Sequence, residues 1–360
     1  MIRKKLKILA ILLLLGLLLH IFSRSPSLVE TYFSLGIYKP VSRCLRLISG
    51  AFPFSLGDVL YGLAVVFLLW KIPFSIYKFR KTLPRDRKTF IVSGSIKLAV
   101  GLSVLYLVFN LLWGLNYNRP GVQHELGIKP ELYSKDDLIQ INELLLQKVN
   151  HSREQVEAGT GLIYNFDSVI RITRKAVNRA ALQMPFLSTS HITIKRSIWQ
   201  WLGNSGGFTG YYNPFTGEAQ VNTDYPAFIL PYVACHEVAH QAGYAKEMEA
   251  NFVGYLFAVN AENPAFDYSV YIDLFLYANR NLYGADSTQA IRIRKNLDTS
   301  VVNDLEELRN FMVRHQNFAE PVIRWIYSAF LRGNQQPDGL LSYDKVTGFI
   351  IGYYKKFGRI

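Results

Sequence analysis

Three apolar runs in the first third of the chain limit what it can fold into. Residues 8–22 (ILAILLLLGLLLHIF), 56–76 and 98–115 (LAVGLSVLYLVFNLLWGL) are each near the length that spans a bilayer core. No water reaches that core, so backbone groups must pair within the segment and each run is expected to be a helix. The second run is interrupted only by Asp58 near one end and Lys71 near the other. The first run alone could be a signal peptide. No clear small-residue cleavage site follows it and two further runs lie behind it, so an anchor is expected.

The charge balance supports a membrane anchor and gives it a direction. The formal net charge is +13, and residues 1–116 hold sixteen Lys and Arg against three acidic residues, leaving 24 of each sign in 117–360. The basic excess therefore reports membrane topology, not nucleic-acid binding. Lys78, Arg80, Lys81, Arg85, Arg87 and Lys88 lie between the second and third runs, and Arg3, Lys4, Lys5 and Lys7 precede the first. Both clusters belong on the cytoplasmic side. Three crossings of an inner (cytoplasmic) membrane then place 23–55 and everything after about 116 outside the cytoplasm. Arg24, Lys39, Arg43 and Arg46 fall in the outer loop, among Val29, Tyr32, Phe33, Ile37, Tyr38 and Leu45. That segment reads as a helix lying flat at the interface. Asp58 and Lys97 sit near run ends, where snorkelling to the interface is expected.

Residues 117–360 are enough for one sizeable extracytoplasmic domain. Helices are expected over 135–150, N-capped by Ser134, and over 166–183, ended by Pro185. His191 to Lys195 (HITIK) and Glu218 to Asn222 (EAQVN) read as short strands of a small antiparallel sheet. The stretch 203–217 (GNSGGFTGYYNPFTG) between them reads as a long loop walling a substrate cleft. A helix from about Leu230 to Ala242 stops at Gly243, another spans about 246–262, and 265–360 is mostly helical with a loop at Gly333 to Gly339. The expected fold is a three-helix membrane anchor (1–116) joined to a mainly helical α+β domain (117–360). The two cysteines, Cys44 and Cys235, do not suggest a disulfide framework. Cys235 points about 100° from His236 on a helix and reads as a small core residue.

The chemistry concentrates at residues 236–240, His-Glu-Val-Ala-His. On a helix, His236 and His240 share one face and can bind one zinc ion, with Glu237 acting on a metal-bound water. The residues around them, Leu230, Val233, Ala234, Val238 and Ala239, are apolar or small. A buried helix with three polar residues on one side must satisfy them, and a metal does so. A catalytic zinc usually has three protein ligands. Glu247 and Glu249, opening the next helix, compete for the third place, and at about 200° apart they cannot both face one ion. A pattern with a third His at 246 fails because that residue is Lys. Tyr211, Tyr212, Tyr271, Tyr277 and His315 are candidate donors to a tetrahedral oxyanion.

The motif followed by Glu-Met-Glu-Ala-Asn (247–251) resembles the gluzincin metallopeptidases, especially membrane-bound relatives of the prenyl-protein and heat-shock proteases. The resemblance implies a zincin-like fold, one Zn2+ ion, a peptide or protein substrate, and Glu247 as third ligand. Where that pattern has a second acid supporting a ligand histidine, this chain has Asn251, whose carbonyl raises imidazole basicity less than a carboxylate does. The chain as a whole also looks like an uncharacterised family of bacteroidete membrane proteins that carry this motif after three spans. The PFSLGD stretch (53–58), TGEAQVN (216–222) and the motif carry that likeness. The expected function is that of a membrane-tethered zinc endopeptidase. A non-catalytic zinc-binding sensor or scaffold is the alternative. Oligomeric state is not legible.

Overall fold

The computed structural model of the chain describes residues 2–159 and 165–360. In chain order the helices are α1 (Ile2–Ser23), α2 (Pro26–Leu28), α3 (Tyr38–Gly50), α4 (Leu56–Lys81), α5 (Arg87–Leu112), α6 (Val122–Leu126), α7 (Lys135–Ala158) and α8 (Phe166–Gln183). After them come α9 (Gln200–Gly206), α10 (Leu230–Gln241), α11 (Glu247–Ala258), α12 (Pro264–Ala285), α13 (Ser287–Arg294), α14 (Thr299–His315), α15 (Glu320–Gly333) and α16 (Val346–Phe357). The strands are β1 (Ile194–Arg196), β2 (Gly210–Asn213) and β3 (Glu218–Val221), and a π-type helical stretch, Val29–Ile37, leads into α3.

Three helical stretches, Ile2–Ser23, Leu56–Lys81 and Pro84–Leu112, are long and apolar enough to cross a membrane. They run past the apolar segments because the flanking basic residues are also good helix formers. Almost none of their apolar length is covered by the rest of the chain, as helices facing hydrocarbon require.

The sheet is mixed, not antiparallel as the sequence suggested. Its order is β1-β3-β2, with β1 parallel to β3 and β2 antiparallel to it. Residues 203–217 are not a loop. They finish α9, form β2 and turn back through Gly217, whose φ of 71° closes the hairpin onto β3. The α9–β2 excursion returns the chain so that β3 enters between its neighbours, running with β1. The first strand also starts later than HITIK implies, after His191 turns the chain at a φ of 53°.

Helix α10 is buried along its whole length, against β3 on one side and α8, α11 and α12 on others. Its partners in the main core include Val221, Phe252, Leu256, Phe275 and Phe349. Gly254 lets α11 lie close to α10, since a Cβ there would stand 3.1 Å from His236 Cα.

The carboxyl end of α10 is closed by the membrane-proximal segments. Tyr38 Oη donates to Gln241 O (3.0 Å), Arg46 Nη1 to the same carbonyl (3.2 Å), and Trp113 Nε1 to His240 O (3.2 Å). Arg119 Nη1 donates to Gly243 O (3.2 Å) while its other nitrogens grip Glu30 at 2.6 and 2.8 Å. The segment around 28–50 therefore packs on the folded domain through Val29, Phe33, Tyr38 and Arg46, while Tyr32, Ile37 and Ile48 stay exposed.

The start of α4 docks on the sheet. Glu218 accepts from the backbone N–H of Leu56 (3.1 Å) and Gly57 (2.6 Å), taking two donors that a helix N-terminus leaves unpaired. Asp58 does not snorkel. It is buried and accepts from Ile198 N and Tyr211 Oη.

Arg119 and Glu30 form a buried pair that also ties the segment after α5 to the segment before α3. Removing one partner strands the other charge, so Arg119→Leu is expected to cost about 3–5 kcal/mol of stability. The exposed Arg85→Leu change is expected to cost nothing measurable. Thermal unfolding in detergent, followed by circular dichroism, reads both.

Candidate metal centre

His236 and His240 lie one turn apart on α10, and Glu247 opens α11 after a tight reversal. Gly243, at φ 91°, makes that reversal, with Tyr244 N bonding back to Ala239 O. The turn brings Glu247 over the two histidines. Its Oε2 stands 3.3 Å from His236 Nε2 and 3.5 Å from His240 Nε2. One ligand atom from each of the three residues falls within 4.8 Å of the others. Glu247 is also at a helix N-terminus, where a carboxylate is favoured.

These residues fit a metal ion. Glu247 Oε2 is buried without a hydrogen-bond partner. Ligands about 2.0–2.1 Å from a tetrahedral zinc lie roughly 3.3–3.4 Å apart, which matches the two His–Glu separations. The outer contacts hold the ligands in place. His240 Nδ1 is 2.8 Å from Tyr244 O, so its N–H donates there and Nε2 faces Glu247. Tyr327 Oη donates to Glu247 Oε1 at 2.9 Å, and Gln336 Oε1 accepts from Glu247 N at 2.9 Å. Asn251 lies beside His236 and raises its basicity.

The electrostatics follow from burial and close pairing. Burial would raise the Glu247 carboxyl, but the facing His240 and His236 imidazoles hold it well below the usual range. Burial pushes His236 down, leaving its ring neutral at neutral pH. Burial also opposes a charge on His240, yet Glu247 outweighs it and the net direction is up. Glu237, between the histidines, is pushed up to about 8 by burial, and its Oε2 has no partner. Its Oε1 faces the backbone of Gly210 on β2, where a Cβ would come within 2.8 Å.

Glu249 is turned away from the histidines, with Oε1 3.4 Å from Lys246 Nζ. Of the candidate donors, Tyr211 is taken by Asp58 and Tyr212 meets Tyr38 at 3.4 Å. His315 Nδ1 is bonded to Phe311 O, while Tyr271 and Tyr277 sit in α12. Tyr277, whose phenol burial pushes up with Glu247 adding to the rise, lies near the cluster, but the hydroxyls bonded at it are ones the sequence did not single out. Tyr327 touches Glu247, and Tyr343 bonds Tyr327 at 3.2 Å and stacks on His236. Burial, reinforced by Glu247, pushes both phenols well up, so they remain donors. Cys235 is buried and raised by burial, as a core thiol should be.

Residues 33–351 match the model of a family described as "Protein of unknown function (DUF3810)", and the chain belongs to that family. No curated protein and no solved structure matches it.

Purified protein is expected to carry one divalent ion per chain by plasma mass spectrometry. His236→Ala and Glu247→Ala should lose it, Glu249→Gln should keep it, and Asn251→Ala should bind it about 10–100-fold more weakly. A pH effect is expected from Asp273 on α12, whose carboxyl burial pushes up to about 7 against the pull of Arg280. Its folded value lies above the unfolded one, so its contribution is fully present at low pH and is lost as pH rises through about 7. Asp273→Asn should flatten the fall in unfolding temperature between pH 4 and pH 7, measured side by side with the parent.

Proposed function

We propose that this member of the DUF3810 family is a membrane-tethered zinc-dependent endopeptidase of the gluzincin type. Residues 117–360 would form a zincin-like domain outside the cytoplasm, held by an anchor built from 1–116. The observation that carries this reading is the placement of Glu247 Oε2, buried and unpartnered, at 3.3 and 3.5 Å from the two imidazoles. His236 Nε2, His240 Nε2 and Glu247 Oε2 would hold the ion.

A bound zinc ion supplies Lewis acidity to a carbonyl and lowers the pKa of a water. Glu237, beside the cluster, would be the group to take a proton from a water and return it to a leaving amine. β2 is an edge strand, and its Gly210 lies against Glu237. A substrate backbone pairing with that edge by strand addition would bring its carbonyl to the base, and the bare glycine leaves room for it. Tyr327 keeps its proton on Glu247, and Tyr343, whose hydroxyl proton can swing from Tyr327, would be the donor for a developing oxyanion.

A second reading is favoured by how closed the cluster is: His236 is 9% exposed and Glu237 3%. On that reading the ion serves a non-catalytic sensor or scaffold. Glu237→Gln separates the two. The peptidase reading expects a fall of about 10²–10⁴-fold in cleavage of a peptide library, with zinc content unchanged. Undiminished cleavage in that variant contradicts the assigned mechanism.

A further inference from the structure

Two short amphipathic helices beside the candidate metal centre leave their apolar faces uncovered. On α15, Val322, Trp325, Ile326 and Phe330 form one stripe, with Trp325 67% exposed. At and before α9, Ile198, Trp201 and Leu202 are exposed as well. The two helices adjoin one another. Asn317 Nδ2, just before α15, donates to Ser205 O at 2.9 Å, and the Phe208 and Tyr327 rings meet edge to face at 5.1 Å. Together they make one shelf.

The shelf lies beside the membrane-capable helices at a depth that can be read from the contacts. Trp199 packs against Gly62 of α4, where a Cβ would stand 2.9 Å from its ring, and donates to Asp58 O at 2.9 Å. Gly62 is six residues past Leu56, about 9 Å along the helix. Phe330 meets Phe109, within the last turn of α5, ring to ring at 6.2 Å. So α9 and α15 are level with the apolar parts of two spans, below the ends of those spans. A water-facing shelf at that height would need the bilayer to stop short on one side of α4 and α5.

We infer that α9 and α15 are immersed in the leaflet that holds the Leu56 end of α4 and the Trp113 end of α5, with lipid covering the stripe formed by Trp201, Leu202, Val322, Trp325 and Ile326. Trp at the stripe suits the headgroup level, and Arg324 can snorkel to it. The opposite side of α15 carries Tyr327 onto Glu247. The cluster then sits directly behind a lipid-covered helix, and a partner approaching it past α15 comes from the membrane. This inference does not depend on hydrolysis.

Nitroxide labels on the full chain test it, in phosphatidylethanolamine–phosphatidylglycerol vesicles. The background is Cys44→Ser, since Cys44 is exposed and Cys235 is buried. Labels go on Val322→Cys and Ile326→Cys, with Glu154→Cys, on the exposed side of α7, as the water control. The expected result is frequent collision with oxygen and loss of collision with a nickel chelate at 322 and 326, and the reverse at 154. Chelate collisions at 322 and 326 as frequent as at 154 would overturn the inference in favour of water. Exclusion of both reagents, with immobilised labels, would overturn it in favour of a protein contact such as a second copy.

Discussion

The buried carboxyl end of α10 is the constraint on which the rest depends. A helix end leaves carbonyls without intrahelical partners, and here that end is buried. Gly243 turns the chain and satisfies some of them locally. Side chains from outside the domain core take others: Tyr38 and Arg46 from α3, Trp113 from the end of α5, and Arg119 just beyond it. The histidine pair is therefore positioned by residues that flank the spans, and the membrane-proximal segments are structural parts of the site's frame. Trp113 shows the coupling most directly, since it bonds His240 O and its ring meets the His240 ring edge to face at 5.8 Å.

The same turn sets the chemistry. Reversing the chain at Gly243 places Glu247 at the start of α11 and above the histidines, and Gly254 lets the two helices approach closely enough to keep it there. One carboxylate oxygen is then held by Tyr327 and the other is left facing two imidazoles. Leaving a buried carboxylate oxygen unpaired is costly, and a cation between the three groups removes that cost. Glu237 is placed by the same helix but faces Gly210, on an edge strand. Glu237, adjacent to His236 in the sequence, is thus set apart from the His236–His240–Glu247 cluster by its surroundings in space.

Much of this was legible before the fold. The apolar runs, the helix ending at Gly243 and the helix opening at Glu247 follow from length, periodicity and capping, which are local properties. The His236–His240 pairing follows from helical repeat alone. The sheet was misread because strand direction depends on the connection, and the α9–β2 excursion looks like a glycine-rich loop in sequence. Asp58 was misread because its partners, Ile198 and Tyr211, are about 140 and 150 residues away. Tyr327, Tyr343 and Gln336 reach the cluster only through the packing of the last quarter of the chain, and nothing local distinguishes them from other aromatic and polar residues there. The resemblance pointed to Glu247 over Glu249, and the turn geometry puts Glu247 over the histidines and Glu249 against Lys246.

X-ray absorption at the zinc edge, on protein purified in detergent, tests the central claim most directly. The expected first shell is two imidazole nitrogens and carboxylate oxygen at about 2.0–2.2 Å, with no zinc bound in His240→Ala. A shell built from sulfur, or one without imidazole scattering, would contradict it.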